Sequence, residues 1–173
     1  VDAAHAFSVG SDLLVSTNKL LAELTLGVTT AKRLLSIDDN VLLRAVHLPN
    51  LTAVTARNPV ADDAIFDFTG YGLATNGSMY IWTSSFDGIG PAGQFQELET
   101  FDVPLLATLD GAAIFSDLVV ANLELPSLTK VRSIYLTTNF GSQNAGHENL
   151  GVTTFAAPLL VTPADHSVGL TGV

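Results

Sequence analysis

Asp102 and Glu124 occupy equivalent places, each two residues before a proline, Pro104 and Pro126. Acids on neighbouring strands of a ladder would sit about 4.8 Å apart, near the ~5–5.5 Å between the two carboxyl groups of retaining glycosidases. The pair is therefore the place to look for a polysaccharide-acting enzyme. His47 holds the same place before Pro49 and would supply an acid–base partner. Against this, charged side chains on a solvated strand face are common, and no aromatic groove is evident beside these acids. The remaining histidines, His5, His147 and His166, have no partner at a useful spacing. No G-x-S-x-G elbow and no phosphate-binding loop occurs. The run Gly88-Ile89-Gly90-Pro91-Ala92-Gly93 imitates a dinucleotide fingerprint, but Pro91 and the lack of a following helical pattern argue against it. The expectation is a protein that is not an enzyme.

Binding chemistry is better represented. Two segments, FDGIGPAGQFQE (86–97) and FGSQNAGHEN (140–149), both start with Phe and both carry Ala-Gly. Their candidate contact residues are Phe86, Asp87, Gln94 and Phe95 in the first, and Phe140, Gln143 and His147 in the second. A third segment, 55–77, holds Asp62, Asp63 and Asp67 beside Phe66, Phe68 and Tyr71. Three carboxylates this close could hold calcium together with backbone oxygens. Their spacing is not that of an EF-hand, and solvated acidic turns are the usual outcome, so no cofactor is expected. Thr29-Thr30, Thr137-Thr138 and Thr153-Thr154 do not extend into the regular stack that ice binding would need.

Composition narrows the partners. Seven basic and 17 acidic residues give a formal charge of −10, which repels nucleic-acid backbones. The absence of cysteine excludes disulfides and thiolate metal sites. Apolar runs are too short to span a membrane. At 47% hydrophobic and 14% charged, the chain is too apolar for disorder.

What would position these residues is an internal repeat. LRAVHLPNLTAV (43–54), LETFDVPLLATL (98–109), VANLELPSLTKV (120–131) and VTTFAAPLLVTP (152–163) align on a proline without gaps. Each has apolar residues six, three and one positions before the proline and Leu two positions after it. A degenerate copy, LAELTLGVTTAK (21–32), has Gly27 in the proline slot. Upstream of each copy is a short strand-like run that ends in Asn18, Asn40, Ser85, Asp117 or Asn139. The step from that polar residue to the proline slot is 9 in three copies and 19 in two, so the same insertion occurs twice. Where nothing is inserted, one period runs from Gly27 to Pro49 or from Pro104 to Pro126, about 22 residues, which is in the range of leucine-rich repeats.

Alternation within each run is a strand period. The inward pairs read as Leu13/Val15, Leu35/Ile37, Tyr80/Trp82, Ala112/Ile114 and Ile134/Leu136 upstream. Downstream they read as Leu24/Leu26, Val46/Leu48, Phe101/Val103, Leu123/Leu125 and Phe155/Ala157. Proline cannot donate to a ladder and belongs at the turn past a strand end. Residues 13–24 could alternatively be a helix by their Leu spacing, but their aligned partners are rich in Val, Ile, Phe, Asn and Asp. Short strands repeating in this way bury their apolar faces only by stacking. The expected fold is all-β, a right-handed parallel β-solenoid of about five 22-residue leucine-rich coils with two loop insertions. It forms one repeat domain over residues 1–173. The coils run 11–32, 33–54, 78–109, 110–131 and 132–163, and chain outside the regular coil lies at 55–77, 86–97 and 140–149.

The pattern "alternating strand, Asn or Asp, L-x-x-L-x-L-P-x-L-x-x-V", clearest in Arg44-Ala45-Val46-His47-Leu48-Pro49-Asn50-Leu51-Thr52-Ala53-Val54, resembles the repeats of receptor L domains and leucine-rich surface proteins of microbes. The resemblance covers residues 12–163. It implies a binding, adhesion or structural module outside the cell or on a cell or virion surface. The family's cysteine-rich caps are missing. Neither VDAAHAFSVG (1–10) nor PADHSVGLTGV (163–173) reads as a charged cap, which favours end-to-end assembly or excision from a longer chain. The leading expectation is thus a self-associating structural subunit of a fibre, layer or virion. The alternative is an adhesin or ligand-binding module that uses the loops at 86–97 and 140–149 to take another surface protein or a glycan.

Overall fold

A computed structural model of the 173-residue chain describes residues 2–38, 40, 42–56, 77–82, 98–116, 120, 122–137, 152, 154–161 and 167–171. These residues contain strands and turns and no helix. In order the strands are β1 (Asp2–Val9), β2 (Leu13–Ser16), β3 (Glu23–Lys32), β4 (Leu34–Asp38), β5 (Ala45–His47), β6 (Ala53–Thr55), β7 (Ser78–Trp82), β8 (Thr100–Asp102), β9 (Thr108–Leu109), β10 (Ala112–Ser116), β11 (Asn122–Glu124), β12 (Ser133–Thr137), β13 (Thr154–Ala156) and β14 (Ser167–Thr171).

The ladders among them are parallel. One sheet has the order β8-β5-β3-β6-β9, with β1 also on β3; a second has β14-β12-β10-β7-β4-β2; β11 and β13 form a third. Leu24 pairs with Val46 and Leu13 with Leu35, each the matching place one repeat on. Leu35 pairs with Met79, twice as far along the chain, because a segment intervenes.

The prolines sit where their chemistry places them. Leu51 N–H donates to Leu48 O, Leu106 to Val103 O, Leu128 to Leu125 O and Leu160 to Ala157 O, at 3.1–3.2 Å. Each bond closes a tight turn with proline at its second position, where a φ fixed at about −65° fits. Gly27 occupies the same slot in β3 but keeps its N–H, and β3 runs on unbroken for 10 residues. Its first half pairs with β5 and its second with β6.

Leu24, Leu35, Ile37, Val46, Leu48, Leu51, Met79, Ile81, Phe101, Leu106, Leu109, Phe115, Leu123 and Leu128 belong to one buried core shared by the sheets. Burying each such side chain contributes about 1.5–3 kcal/mol. The Phe101 and Phe115 rings meet within it edge to face, with centroids 5.5 Å apart. The downstream inward pairs and three of the upstream pairs face this core as expected.

Two strands face the other way. Met79/Ile81 and Ala113/Phe115 are in the core, whereas Tyr80, Ala112 and Ile114 form a separate cluster with Tyr135. The inward reading therefore fails at Tyr80 of the Tyr80/Trp82 pair and at both Ala112 and Ile114. In β10 the cause is the length of a corner. Ala113 follows Leu109 by four positions, but Ile134 follows Val131 by three, so the step from β10 to β12 is one residue short of the repeat. A slip of one residue turns every side chain of a strand to the opposite face.

Strands also extend beyond the repeats as counted. β1 pairs with β3, and β14 pairs with β12, placing strand in both terminal segments that read as uncapped ends. Residues 13–24 enter β2 and β3, not a helix.

Candidate functional site

The catalytic constellation expected before the prolines is partly assembled. Thr25, His47 and Asp102 share one column, since Thr25 pairs with His47 and His47 with Asp102. His47 Nδ1 lies 3.7 Å from Asp102 Oδ2, a long pair between partly exposed side chains. An ion pair so placed gains little over solvation. Among the described residues Glu124 pairs with Ala156, and no described ladder joins β8 to β11. Among the described residues no group of three or more His, Asp or Glu side chains could hold a metal ion.

The best-formed polar groups hold neighbouring repeats together. Asn40 is 1% exposed. Its Oδ1 accepts from the backbone N–H of Asn18 (3.1 Å) and from Asn18 Nδ2 (2.9 Å), and its own Nδ2 donates to Val15 O (2.8 Å). The sequence pattern assigns these asparagines a turn role; that they stand one repeat apart is the signal that they stack on each other. Thr29, Thr52 and Thr129 each donate a hydroxyl, at 3.0 Å, to a carbonyl one repeat earlier. Arg33 grips Asp12 with two nitrogens.

A second cluster closes the corner beside the acidic segment. Thr55 is in register with Lys32, and Gly77 N–H donates to Arg33 O at 2.6 Å. Thr55 and Gly77 thus match neighbours that are consecutive in sequence, although the whole acidic segment separates them. Asp110 clamps this junction. One of its oxygens accepts from Ala56 N–H (3.0 Å) and the other from Lys130 Nζ (2.8 Å). Partial burial pushes the Asp110 carboxyl up, but the Lys130 hydrogen bond, the Ala56 N–H and the Lys130 charge together outweigh it and hold the group below the usual carboxylate range. Gly77 has φ of 89°, and a Cβ there would lie 2.8 Å from Asp110 Cβ and 2.9 Å from Ala56 N. Glycine is thus required on both conformational and steric grounds.

The loop residues Phe86, Asp87, Gln94, Phe95, Phe140, Gln143 and His147, and the acids Asp62, Asp63 and Asp67, lie outside the described residues. The strands that lead into the two Phe segments are described. β7 ends at Trp82 and β12 at Thr137; both are parallel to β10, which lies between them. Their C-terminal ends therefore share one border of the second sheet, about 10 Å apart at the usual strand spacing.

Comparison of the chain with protein-family models, curated proteins and solved structures finds no match. No helix among the described residues is long and apolar enough to cross a membrane. A fold by itself does not fix a function, so the geometry of the side chains is what bears on it.

Proposed function

We infer that the chain is a non-enzymatic structural or assembly subunit, extracellular or on a cell or virion surface. Its scaffold is a right-handed parallel β-solenoid of about five leucine-rich coils. The observation that carries this reading is the use made of its polar side chains. Four buried or half-buried ones, Asn40, Arg33, Asp12 and Asp110, tie one repeat to the next. The acids before the prolines, Asp102 and Glu124, sit on an exposed strand face. Parallel ladders between matching places of successive repeats, around one shared core, support a stacked-repeat scaffold. The location follows from the resemblance to receptor L-domain-like surface proteins.

Negative-stain electron microscopy together with light scattering over a concentration series tests the reading. Filaments or sheets are expected; monodisperse particles throughout the series would sink it. Turnover of a polysaccharide that is abolished by Asp102→Asn or Glu124→Gln would overturn the non-enzymatic part.

A second reading is favoured by the shared border of β7 and β12. Two inserted segments rooted on one border could act together as an adhesin surface for a glycan or a surface protein. A glycan and protein-ligand screen in which binding is lost on deleting 86–97 or 140–149 would decide for it.

A further inference from the structure

Strands β4, β7 and β10 are buried on both sides. Leu35, Ile37, Met79, Ile81 and Phe115 face the shared core. Their neighbours Leu34, Ser36, Ser78, Tyr80, Ala112 and Ile114 point the other way, yet none is more than 4% exposed. The register makes them one patch, with Leu34 beside Ser78, Ser36 beside Tyr80 and Tyr80 beside Ile114. Something therefore stands over this patch. Among the described residues its apolar cluster gains only Tyr135, which is a neighbour of Ile114 on the same face and no cover.

The patch has limits. Tyr135 on β12 is half-buried, and Leu14 on β2 is 54% exposed. The cover is thus centred on β7, the middle strand of the three. Parallel sheets usually have both faces covered, and their strands then read as apolar runs. SMYIW in β7 and AAIFS in β10 fit that pattern.

Position selects the occupant. Residues 57–76 leave the coil after Ala56 and rejoin it at Gly77, just before Ser78, the first outward residue of β7. Ala56 and Gly77 are neighbours at the Asp110 corner, so both roots of the segment stand at the border where the patch begins. With no distance to span, the whole segment is available to fold back. About ten extended residues reach roughly 33 Å, twice the length of a 5-residue strand such as β7. The two Phe segments differ, because β7 and β12 run into them at the opposite border.

Composition agrees. Phe66 and Phe68 alternate with Asp67, so a strand there would carry rings on one side and a carboxylate on the other. Lys32, Lys130 and Arg132 gather at the same corner, since Lys32 pairs with Thr55, Lys130 with Thr108, and Arg132 N–H donates to Gly111 O. Three of the chain's 7 basic residues thus stand beside the roots of a segment that carries Asp62, Asp63 and Asp67.

We propose that residues 57–76 lie over the outward faces of β4, β7 and β10 and bury Tyr80 and Ile114, so that the acidic segment is an outer layer of this chain's own fold. This concerns what covers the sheet, and it stands or falls apart from the assembly reading.

The chain has no cysteine, so a single introduced thiol reports on the cover. Ser36→Cys places one within the patch at little change in size. Leu14→Cys, beside it on β2, is the exposed control. In the folded full chain, Ser36→Cys is expected to react with a thiol reagent roughly tenfold or more slowly than Leu14→Cys. Adding Phe66→Ser and Phe68→Ser is expected to remove most of that protection, with the Leu14→Cys rate and the circular dichroism spectrum unchanged. Equal rates at positions 36 and 14 would show an open face and overturn the proposal. Protection that survives both the Phe substitutions and deletion of 56–76 would assign the cover to another segment. Protection that fades on dilution would assign it to a second copy, and either result overturns the proposal. Should Ser36→Cys fail to fold, binding of the dye anilinonaphthalene sulfonate decides. The 56–76 deletion is expected to bind it and the wild type is not, and equal binding would overturn the proposal.

Discussion

Asn40 is buried, and its side-chain bonds bind Asn18 and Val15 of the preceding repeat. Replacing it with Ala strands the Asn18 N–H and the Val15 carbonyl. An unpaired buried polar group costs about 1–3 kcal/mol, so Asn40→Ala is expected to lose stability in that range by urea unfolding. Thr52→Ala, which removes an exposed hydroxyl bond between repeats, should change stability by no more than about 0.5 kcal/mol. The contrast separates a buried tie from a decorative one. Asp110 adds a pH signature. Its folded pKa is depressed, so it contributes stability at pH above the ordinary carboxylate range and loses that contribution as pH falls through its folded value. Asp110→Asn should melt below wild type at pH 7, and the two melting curves should converge as the solution is acidified below the ordinary carboxylate range. A gap that persists into strong acid would mean that the clamp acts through shape and not through charge.

At the level of the element, the junction between β6 and β7 explains how the chain tolerates its acidic segment. Thr55 and Gly77 take places that Lys32 and Arg33 fill consecutively in the neighbouring repeat. Deleting 56–76 and joining Thr55 to Gly77 removes the Ala56 N–H that Asp110 accepts, but should still keep a β-sheet circular dichroism spectrum and a cooperative melt. Closing a loop of that length costs about 2–3 kcal/mol, so the deletion should not reduce stability by removing closure. A chain that no longer melts cooperatively would show that the core depends on residues 56–76. The same corner shows what was readable in the sequence. Proline and leucine positions predicted turns and core columns because their chemistry allows few other places. Strand facing in β10 was not readable, since the corner from Leu109 to Ala113 is one residue longer than the corner from Val131 to Ile134, and no residue type announces that. β14 was missed because it has no proline anchor, although SVGLT alternates as an edge strand should. Of the candidate site, the His47–Asp102 column was legible from spacing, whereas the Asp110 clamp joins neighbouring repeats through residues at non-equivalent positions.

For the whole molecule, charge and apolar surface would oppose each other in the assembly proposed above. Each copy carries a formal charge of −10, so bringing copies together is repulsive. Salt then has one direction of effect. The Debye length falls from about 20 Å near 0.02 M to about 4–5 Å near 0.5 M, so added salt weakens the repulsion and leaves apolar and backbone contacts in place. Polymer yield by sedimentation should therefore rise with salt over that range. It should rise again as pH is lowered toward the sequence pI of about 4.4, where the net charge vanishes. Dissolution by salt would mean that ion pairs between copies hold the assembly. The two titrations together also separate assembly from acid unfolding. Loss of the Asp110 clamp begins only below the ordinary carboxylate range, so polymer gained near the pI should still show the folded chain's circular dichroism.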